Sequence, residues 1–494
     1  MQDDDLDLWL AAGAGAACPS DRRIETPISK VYLYPDRALK RKKPVDFGFL
    51  DFTTLEKRRW AGEQELRLNR ITAPDIYRTL HAVVPEPHGF RLAPADAPEA
   101  VDYVLEMRRF DETAVLSECP ERVDGDLAEA IGREIARVHA AAARGTAGGG
   151  ADGLDYVLRS NASHLRQLAP VLGAAAVERV IAATDAAFAE QRARLDRRLA
   201  QGLVRECHGD LHLGNILLEA GRAVLFDRIE FNVRLIEIDV LYDLAFTLMD
   251  LVFRGRPGPA NRLLNGWLDA ASRTLPPEVL HDGLAALPLF LSVRAAVRCH
   301  VCGHNGQPEA ARAYLAAAEA HLHTTPPRLI AIGGLSGSGK STLARALSPG
   351  LGAPPGAVVL RSDEVRKRLF GRGPTAPLPP EAYTPEADDR IHAALFDGAR
   401  QILEAGVGVI LDATFRDPAR RTQALALHPG AIGVWLDAPD AVLRARVAAR
   451  SNDASDADLA VLERQLARRP TVTDWRAVDA AAPLEAQCTA VLAG

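Results

Sequence analysis

An apolar run, LIAIGG from Leu329, meets a glycine-rich turn, GLSGSGKS from Gly334 to Ser341, and then the helical pattern STLARAL. Few local sequences restrict a fold so strongly. Glycines at Gly334, Gly337 and Gly339 let backbone N–H groups around Ser336 and Ser338 turn inward. The helix start at Lys340, Ser341 and Thr342 adds positive potential. A turn of this form cradles phosphate oxygens, with Lys340 on the outer phosphates and the Ser341 hydroxyl on magnesium. Three further apolar runs, GAVVLRSD, GVGVILDAT and GAIGVWLDAP, alternate with helical stretches. That alternation predicts a parallel sheet with helices on both faces.

A second constellation lies upstream. HGDLHLGNIL begins at His208, and LFDRIEFN runs from Leu225 to Asn232. Asp210 stands five residues before Asn215, and Asp227 follows a short apolar run. Phosphoryl transfer from ATP uses such a set: one carboxylate accepts the acceptor hydroxyl's proton, while an amide and a second carboxylate hold magnesium. Two unrelated grips on ATP in one chain imply two domains. The boundary is expected at TTPPR, Thr324 to Arg328, where proline blocks continuation of the preceding helix.

Upstream of the catalytic run the order is that of a small kinase lobe. ISKVYLYPDRALKRKKPV reads as two strands about the turn Tyr34–Arg37, Leu55 to Ile71 as a helix, and Ala100 to Phe110 as a strand. A kinase places its ATP lysine on such a strand and pairs it with a helix glutamate. Lys40 fits, and Lys42 shares its face because strand side chains repeat every second residue. Glu65 or Glu63 is the expected partner. The segment Glu25 to Ser29, ETPIS, stands where a glycine-rich loop would be.

The HGD segment, with its following Asp on a strand, resembles the aminoglycoside phosphotransferase family over residues 28 to 320. KKPVDFGFLDFTTLEKRR and ELRLN resemble the bacterial subgroup that joins this domain to a P-loop ATPase. The resemblance implies an α+β protein-kinase-like domain (1–323; small lobe 25–110, large lobe 111–323) and an α/β P-loop domain (328–494). It implies Asp210 as catalytic base, Asn215 and Asp227 as magnesium ligands, and Asp243 as a support of the loop. Glu230 and Asp239 are nearby acids. LRSDEVRKRL, from Leu360, resembles the acceptor site of small P-loop kinases such as gluconate kinase and polynucleotide kinase. There Asp363 would activate the acceptor hydroxyl and Arg366 hold a phosphate. Asp412, ending LD of a buried strand, is either a magnesium acid or a substrate-binding acid. Leu443 to Leu466 resembles the arginine-bearing lid of these kinases, with Arg446 and Arg450 on one helical face.

The 494 residues are 48% hydrophobic and 25% charged with a net charge of -6, which favours a small-molecule acceptor over nucleic acid. Arg361, Arg366, Lys367 and Arg368 are the features that keep a nucleic-acid end as an alternative acceptor. A regulatory ATP-binding module is the rival from another class. Six scattered cysteines form no disulfide framework, and the acidic start is no secretory signal, so a cytoplasmic setting with no membrane partner is expected. Cys299, His300, Cys302 and His304 lie in a helical pattern without a second ligand pair, and read as helix residues rather than a zinc site. ATP and Mg2+ are the expected cofactors.

Overall fold

The computed structural model describes residues 2–15, 18–145, 149–449 and 455–493. They divide into two compact units. The first holds residues 1–122, 142–156 and 202–243; the second holds 123–141, 157–201 and 244–494. The linker at 324–328 lies inside the second unit, so compactness is divided differently from the sequence motifs.

The first unit is built on a six-stranded sheet in the order β1-β2-β3-β6-β4-β5. Its strands are β1 (Arg22–Glu25), β2 (Ser29–Leu33), β3 (Arg37–Lys42), β4 (Tyr77–Glu86), β5 (Gly89–Pro94) and β6 (Asp102–Arg108), and every pairing is antiparallel. Strand β3 is covered on both faces. Lys40 and Lys42 meet Glu65 of helix Leu55–Asn69, whose N-cap Thr54 accepts from Lys57 N. Leu39 packs instead with Leu6 and Leu10 of helix Gln2–Ala11, both buried. Burying a leucine stabilises by about 1.5–3 kcal/mol. Next to that apolar contact Asp7 accepts from Tyr32 Oη at 2.6 Å and from Arg41 at 2.7 Å. The acidic start of the chain is thus a helix that closes the sheet's second face, a role its composition does not announce.

Short strands carry the HGD segment: β7 (Val204–Glu206), β8 (Ile216–Glu219), β9 (Arg222–Leu225) and β10 (Glu237–Asp239). β8 and β9 form a hairpin, and β7 pairs with β10. HGD therefore lies between β7 and β8, and Asp227 follows β9.

The second unit joins helices to a five-stranded parallel sheet. Its strands are β11 (Leu329–Gly334), β12 (Val358–Arg361), β13 (Val409–Asp412), β14 (Ile432–Asp437) and β15 (Arg476–Asp479), in the order β12-β13-β11-β14-β15. The strand before the glycine-rich turn is central and wholly buried. The expected parallel α/β domain is present, and β15 is a strand the sequence pattern did not single out.

Helix Pro257–Ala271 lies along β12. Asn261 and Asn265 are four residues apart, on one face of that helix. Asn261 Nδ2 donates to Ala357 O at 2.9 Å, and Asn265 Oδ1 accepts from Val359 N at 2.7 Å. Ser348 Oγ donates to Asn261 Oδ1 at 2.7 Å. One helical stretch, Pro277–His304, is apolar and long enough to cross a membrane, yet 67% of its apolar window is buried in the protein. Cys299 and Cys302 are among its buried residues.

Candidate functional site

In the first unit the sheet, helix Leu55–Asn69 and the segment after β9 bring five charged groups together. Lys40 Nζ donates to Glu65 Oε1 and to Asp227 Oδ1, both at 2.7 Å. Lys42 Nζ pairs with Glu65 Oε2 at 2.6 Å and with Glu230. Lys40 is therefore the lysine that bridges the helix glutamate to Asp227. Glu63 lies on another side of the helix and pairs with Arg59.

Burial drives these charges apart in opposite senses. It pushes the Glu65 carboxyl up, but the Lys40 and Lys42 ammoniums more than reverse it and hold the group at about 2. For Glu230 burial wins over the pull of Lys42, the Glu65 charge adds to it, and the carboxyl rises to about 7. Burial opposes the Lys40 charge, yet Asp227 and Glu65 raise it well above the ordinary lysine range.

Asp227 sits at φ 58°, the left-handed region. An aspartate tolerates that conformation better than most residues. Its environment imposes it: Asp227 N donates to Tyr77 Oη at 3.0 Å, and Arg228 N donates to Asn69 Oδ1 at 2.8 Å. Buried Arg228 occupies the place after the aspartate, and its Nε donates to Cys207 O at 2.8 Å. Asn69 ends the ELRLN run and Arg228 lies in LFDRIEFN, but that they and Tyr77 aim Asp227 is seen only in the fold.

The HGD turn is held from both ends. Asp243 accepts from His208 N at 3.1 Å and Gly209 N at 2.9 Å. His208 Nε2 lies 2.9 Å from Phe226 O, and Asp210 N donates to His208 Nδ1 at 3.3 Å. That pattern requires a neutral ring with its proton on Nε2, and burial holds His208 below its ordinary range. Gly209 has φ 87°, and a Cβ there would lie 2.7 Å from Leu235 O. The turn thus presents Asp210, whose side chain is 37% exposed. Asn215 Nδ2 donates to Asp210 O at 2.8 Å and Asp210 Oδ2 at 3.0 Å, which leaves its carbonyl oxygen available to a metal. The Glu25–Ser29 segment forms the β1–β2 turn, where Ser29 N donates to Thr26 Oγ1 at 2.9 Å. Asp239 is buried in β10 and accepts from Leu241 N at 2.8 Å.

In the second unit a cavity of about 1180 Å3 opens over the glycine-rich turn. It is lined by Ser336–Thr342, Asp363, Arg366, Asp412 and Arg446, among others. Gly334, Gly337 and Gly339 all have positive φ. A Cβ on Gly334 would lie 2.6 Å from Leu436 O. Sheet register sets the acids beside the turn: Asp412 pairs with Ile332 of β11 and with Arg361 of β12. Ser341 Oγ consequently donates to Asp412 Oδ2 at 2.6 Å. Lys340 Nζ donates to Leu335 O at 3.0 Å, folded over its own turn. Ser338 Oγ is buried without a hydrogen-bond partner in the turn. An inward cradle, a lysine over it, an orphaned hydroxyl and a serine–carboxylate pair fit magnesium-bound nucleotide phosphates.

Asp363 lies in the first turn of helix Ser362–Leu369. The N-cap is Arg361, without a side-chain cap bond, so Asp363 does not fill the ordinary capping position. Arg366 is engaged by Asp388 at 2.6 Å and stacks over Tyr383, with its carbon 5.1 Å from the ring centroid. Arg446 donates to Ala480 O at 2.9 Å, and Arg450 lies outside the described residues. Lys367 is buried on Asp456 at 2.7 Å, which removes it from an accessible basic patch. Gln465 carries no sequence signal, and Arg361 stands out in the sequence only as one of a basic group. Gln465 Oε1 accepts from Ser336 N at 2.9 Å, bringing helix Leu459–Leu466 onto the turn. Arg361 lies 3.4 Å from Asp412 and 2.9 Å from Glu364.

Two family models match the chain. One described as the phosphotransferase enzyme family covers residues 61–278, and one described as an AAA domain covers 329–471. Uncharacterized protein Rv2004c of Mycobacterium tuberculosis is 31% identical over 479 residues, covering 93% of this chain and 92% of the relative. Uncharacterized protein Mb2027c of Mycobacterium bovis matches to the same extent, 31% over 479 residues. A choline/ethanolamine kinase family protein from Mesorhizobium loti is 16% identical, with TM-score 0.39, over 66% of this chain and 96% of its own. A gluconokinase from Sinorhizobium meliloti is 23% identical, with TM-score 0.26, over 35% and 92%.

Proposed function

This chain belongs to the family of its mycobacterial relatives and carries a phosphotransferase-family domain followed by an AAA-family P-loop domain; on that premise we propose that it is a kinase with two ATP sites, each phosphorylating a hydroxyl of a small molecule. We assign the domains to 1–323 and 328–494 and the setting to the cytoplasm. The observation that supports the reading is that each half holds a lysine beside a carboxylate of its motif: Lys40 bonds Asp227, and Lys340 folds over the turn whose Ser341 bonds Asp412. We assign magnesium to Asn215 and Asp227 in the first half and to Ser341 and Asp412 in the second.

Asp210 accepts the hydroxyl proton of the first acceptor. Its place on a turn pinned by Asp243 and His208 keeps it oriented without a covalent role. Lys40, itself held by Glu65, neutralises donor phosphate oxygens. In the second half the turn's N–H groups bind phosphates, Asp363 accepts the acceptor proton, and Arg366 and Arg446 lie on the cavity wall to balance transferring charge. Magnesium at either pair would supply charge neutralisation of the phosphates. Helix Leu459–Leu466 covers the turn through Gln465 and serves as a lid.

The test is a phosphorylation screen of the full chain against sugars, aminoglycosides, nucleosides and RNA ends, repeated with Asp210→Asn and Asp363→Asn. Loss of a general base lowers turnover by about 100- to 10,000-fold while nucleotide affinity changes little. Each variant is expected to silence a different acceptor. A chain that phosphorylates nothing, or whose turnover survives both substitutions, overturns the assignment.

A further inference from the structure

The second unit brings three imidazoles together. His300 and His304 lie four residues apart on helix Leu287–His304, which puts both rings on one face. Helix Gly150–Gln167 brings His164 against them. Two contacts fix the approach of these segments: Asn161 Nδ2 donates to Val293 O at 3.3 Å, and Leu168 lies so close to Gly303 that a Cβ there would be 2.5 Å from its Cδ1. A side chain at Gly303 would have to push the end of Leu168 aside.

The resulting geometry is that of a ligand set. His164 Nδ1 lies 3.1 Å from His304 Nε2. One nitrogen from each of the three rings lies within 4.8 Å of the others. Two nitrogens bound to one tetrahedral zinc ion at ordinary bond lengths are about 3.4 Å apart. The closest pair is thus already near ligand spacing, while His164 and His300, stacked with 20° between their planes, would have to turn for both lone pairs to meet one ion. Among the described residues no carboxylate bonds any of the three rings, and each neutral imidazole carries a lone pair that a cation can draw on. The cysteines of the same sequence motif, Cys299 and Cys302, are buried on another face of the helix and are not part of the set.

We propose that His164, His300 and His304 bind one divalent transition-metal ion of the zinc class, with its remaining coordination position open to solvent. Imidazole donors select such ions over hard cations such as magnesium, which prefer oxygen. The ion would clamp helix Gly150–Gln167 to helix Leu287–His304. Removing one ligand should weaken binding by at least about tenfold, the loss that even disturbing a ligand's outer partner commonly brings.

The experiment is calorimetric titration of the untagged, metal-free full chain with Zn2+ alone and with Mg2+ alone, without nucleotide. Thermal unfolding is followed in parallel. The variants are His304→Ala, at an exposed position in the last helical turn, and His164→Gln. Expected is one Zn2+ equivalent present in the wild type and weakened at least tenfold in both variants, with their circular dichroism unchanged. A rise in unfolding temperature with Zn2+ should be lost with the same substitutions, and Mg2+ should give neither. Equal Zn2+ stoichiometry and affinity in wild type and variants would place any binding at other groups and overturn the proposal. So would a wild type that binds no Zn2+.

Discussion

Replacing Glu65 by Gln keeps the shape of a wholly buried side chain and removes the charge that two lysines share. Holding a carboxyl at about 2 rather than its ordinary 4.5 corresponds to on the order of 3 kcal/mol. Independently, removing one partner of a buried ion pair costs about 3–5 kcal/mol. The lower end applies here, because Lys40 keeps Asp227 and Lys42 keeps Glu230. The sign is that of a depressed acid: the stabilisation is present above the ordinary carboxylate range and is lost as pH falls toward 2. At pH 7 the loss should appear locally in β3, the strand that carries both lysines. At about 1.4 kcal/mol per tenfold, amide protection of Arg37–Lys42 should fall by roughly a hundredfold in hydrogen exchange followed by mass spectrometry. Protection within threefold of wild type, in a variant of unchanged circular dichroism, would refute the idea that Glu65 organises this centre.

Glu230 carries the opposite sign. Its carboxyl is raised to about 7, so between pH 4.5 and 7 the folded chain holds a proton that the unfolded chain has released, and stability falls as pH rises. In Glu230→Gln the urea midpoint should lose that decline between pH 5 and 7.5; an unchanged slope would assign it elsewhere. Asp243→Asn leaves one acceptor oxygen for two N–H groups and should cost about 1.5–3 kcal/mol, read as faster exchange at residues 208–210. Lys340→Ala should remove nucleotide binding from the P-loop half and leave phosphorylation by the first half unaltered. A changed first-half rate would favour regulation of one half by the other.

What could be read from the sequence was chemistry confined to short segments. Gly334–Ser341 and the spacing of Asp210 and Asn215 are local patterns that fix local geometry, and both lie where the spacing placed them. Choosing between Lys40 and Lys42 was beyond sequence reasoning, because both point to one face of β3; Asp227, 187 residues away, distinguishes them. Helix Gln2–Ala11 was hidden by its composition. Its four aspartates include Asp7, which is satisfied by Tyr32, Lys30 and Arg41 rather than by water. The hairpin β4–β5 was obscured by the prolines of VVPEPHGF, which interrupt any clean alternation. Gln465 and His164 act only through partners more than a hundred residues distant.

The two asparagines beside β12 have a consequence for handling the protein. β12 is the outermost strand of its sheet, and Asn261 and Asn265 answer its outward backbone groups as a neighbouring strand would. Helix Pro257–Ala271 belongs by sequence to the other half of the chain. A P-loop half cut free at 324–328 would expose that outer edge, with Ala357 O and Val359 N unanswered and open to pairing with another copy. The free half should self-associate at concentrations where the whole chain does not, and a charged residue introduced on the exposed edge should restore it to a monomer. The fusion would thus shield an open sheet edge of one half, a reason for the halves to travel together that is independent of any chemistry.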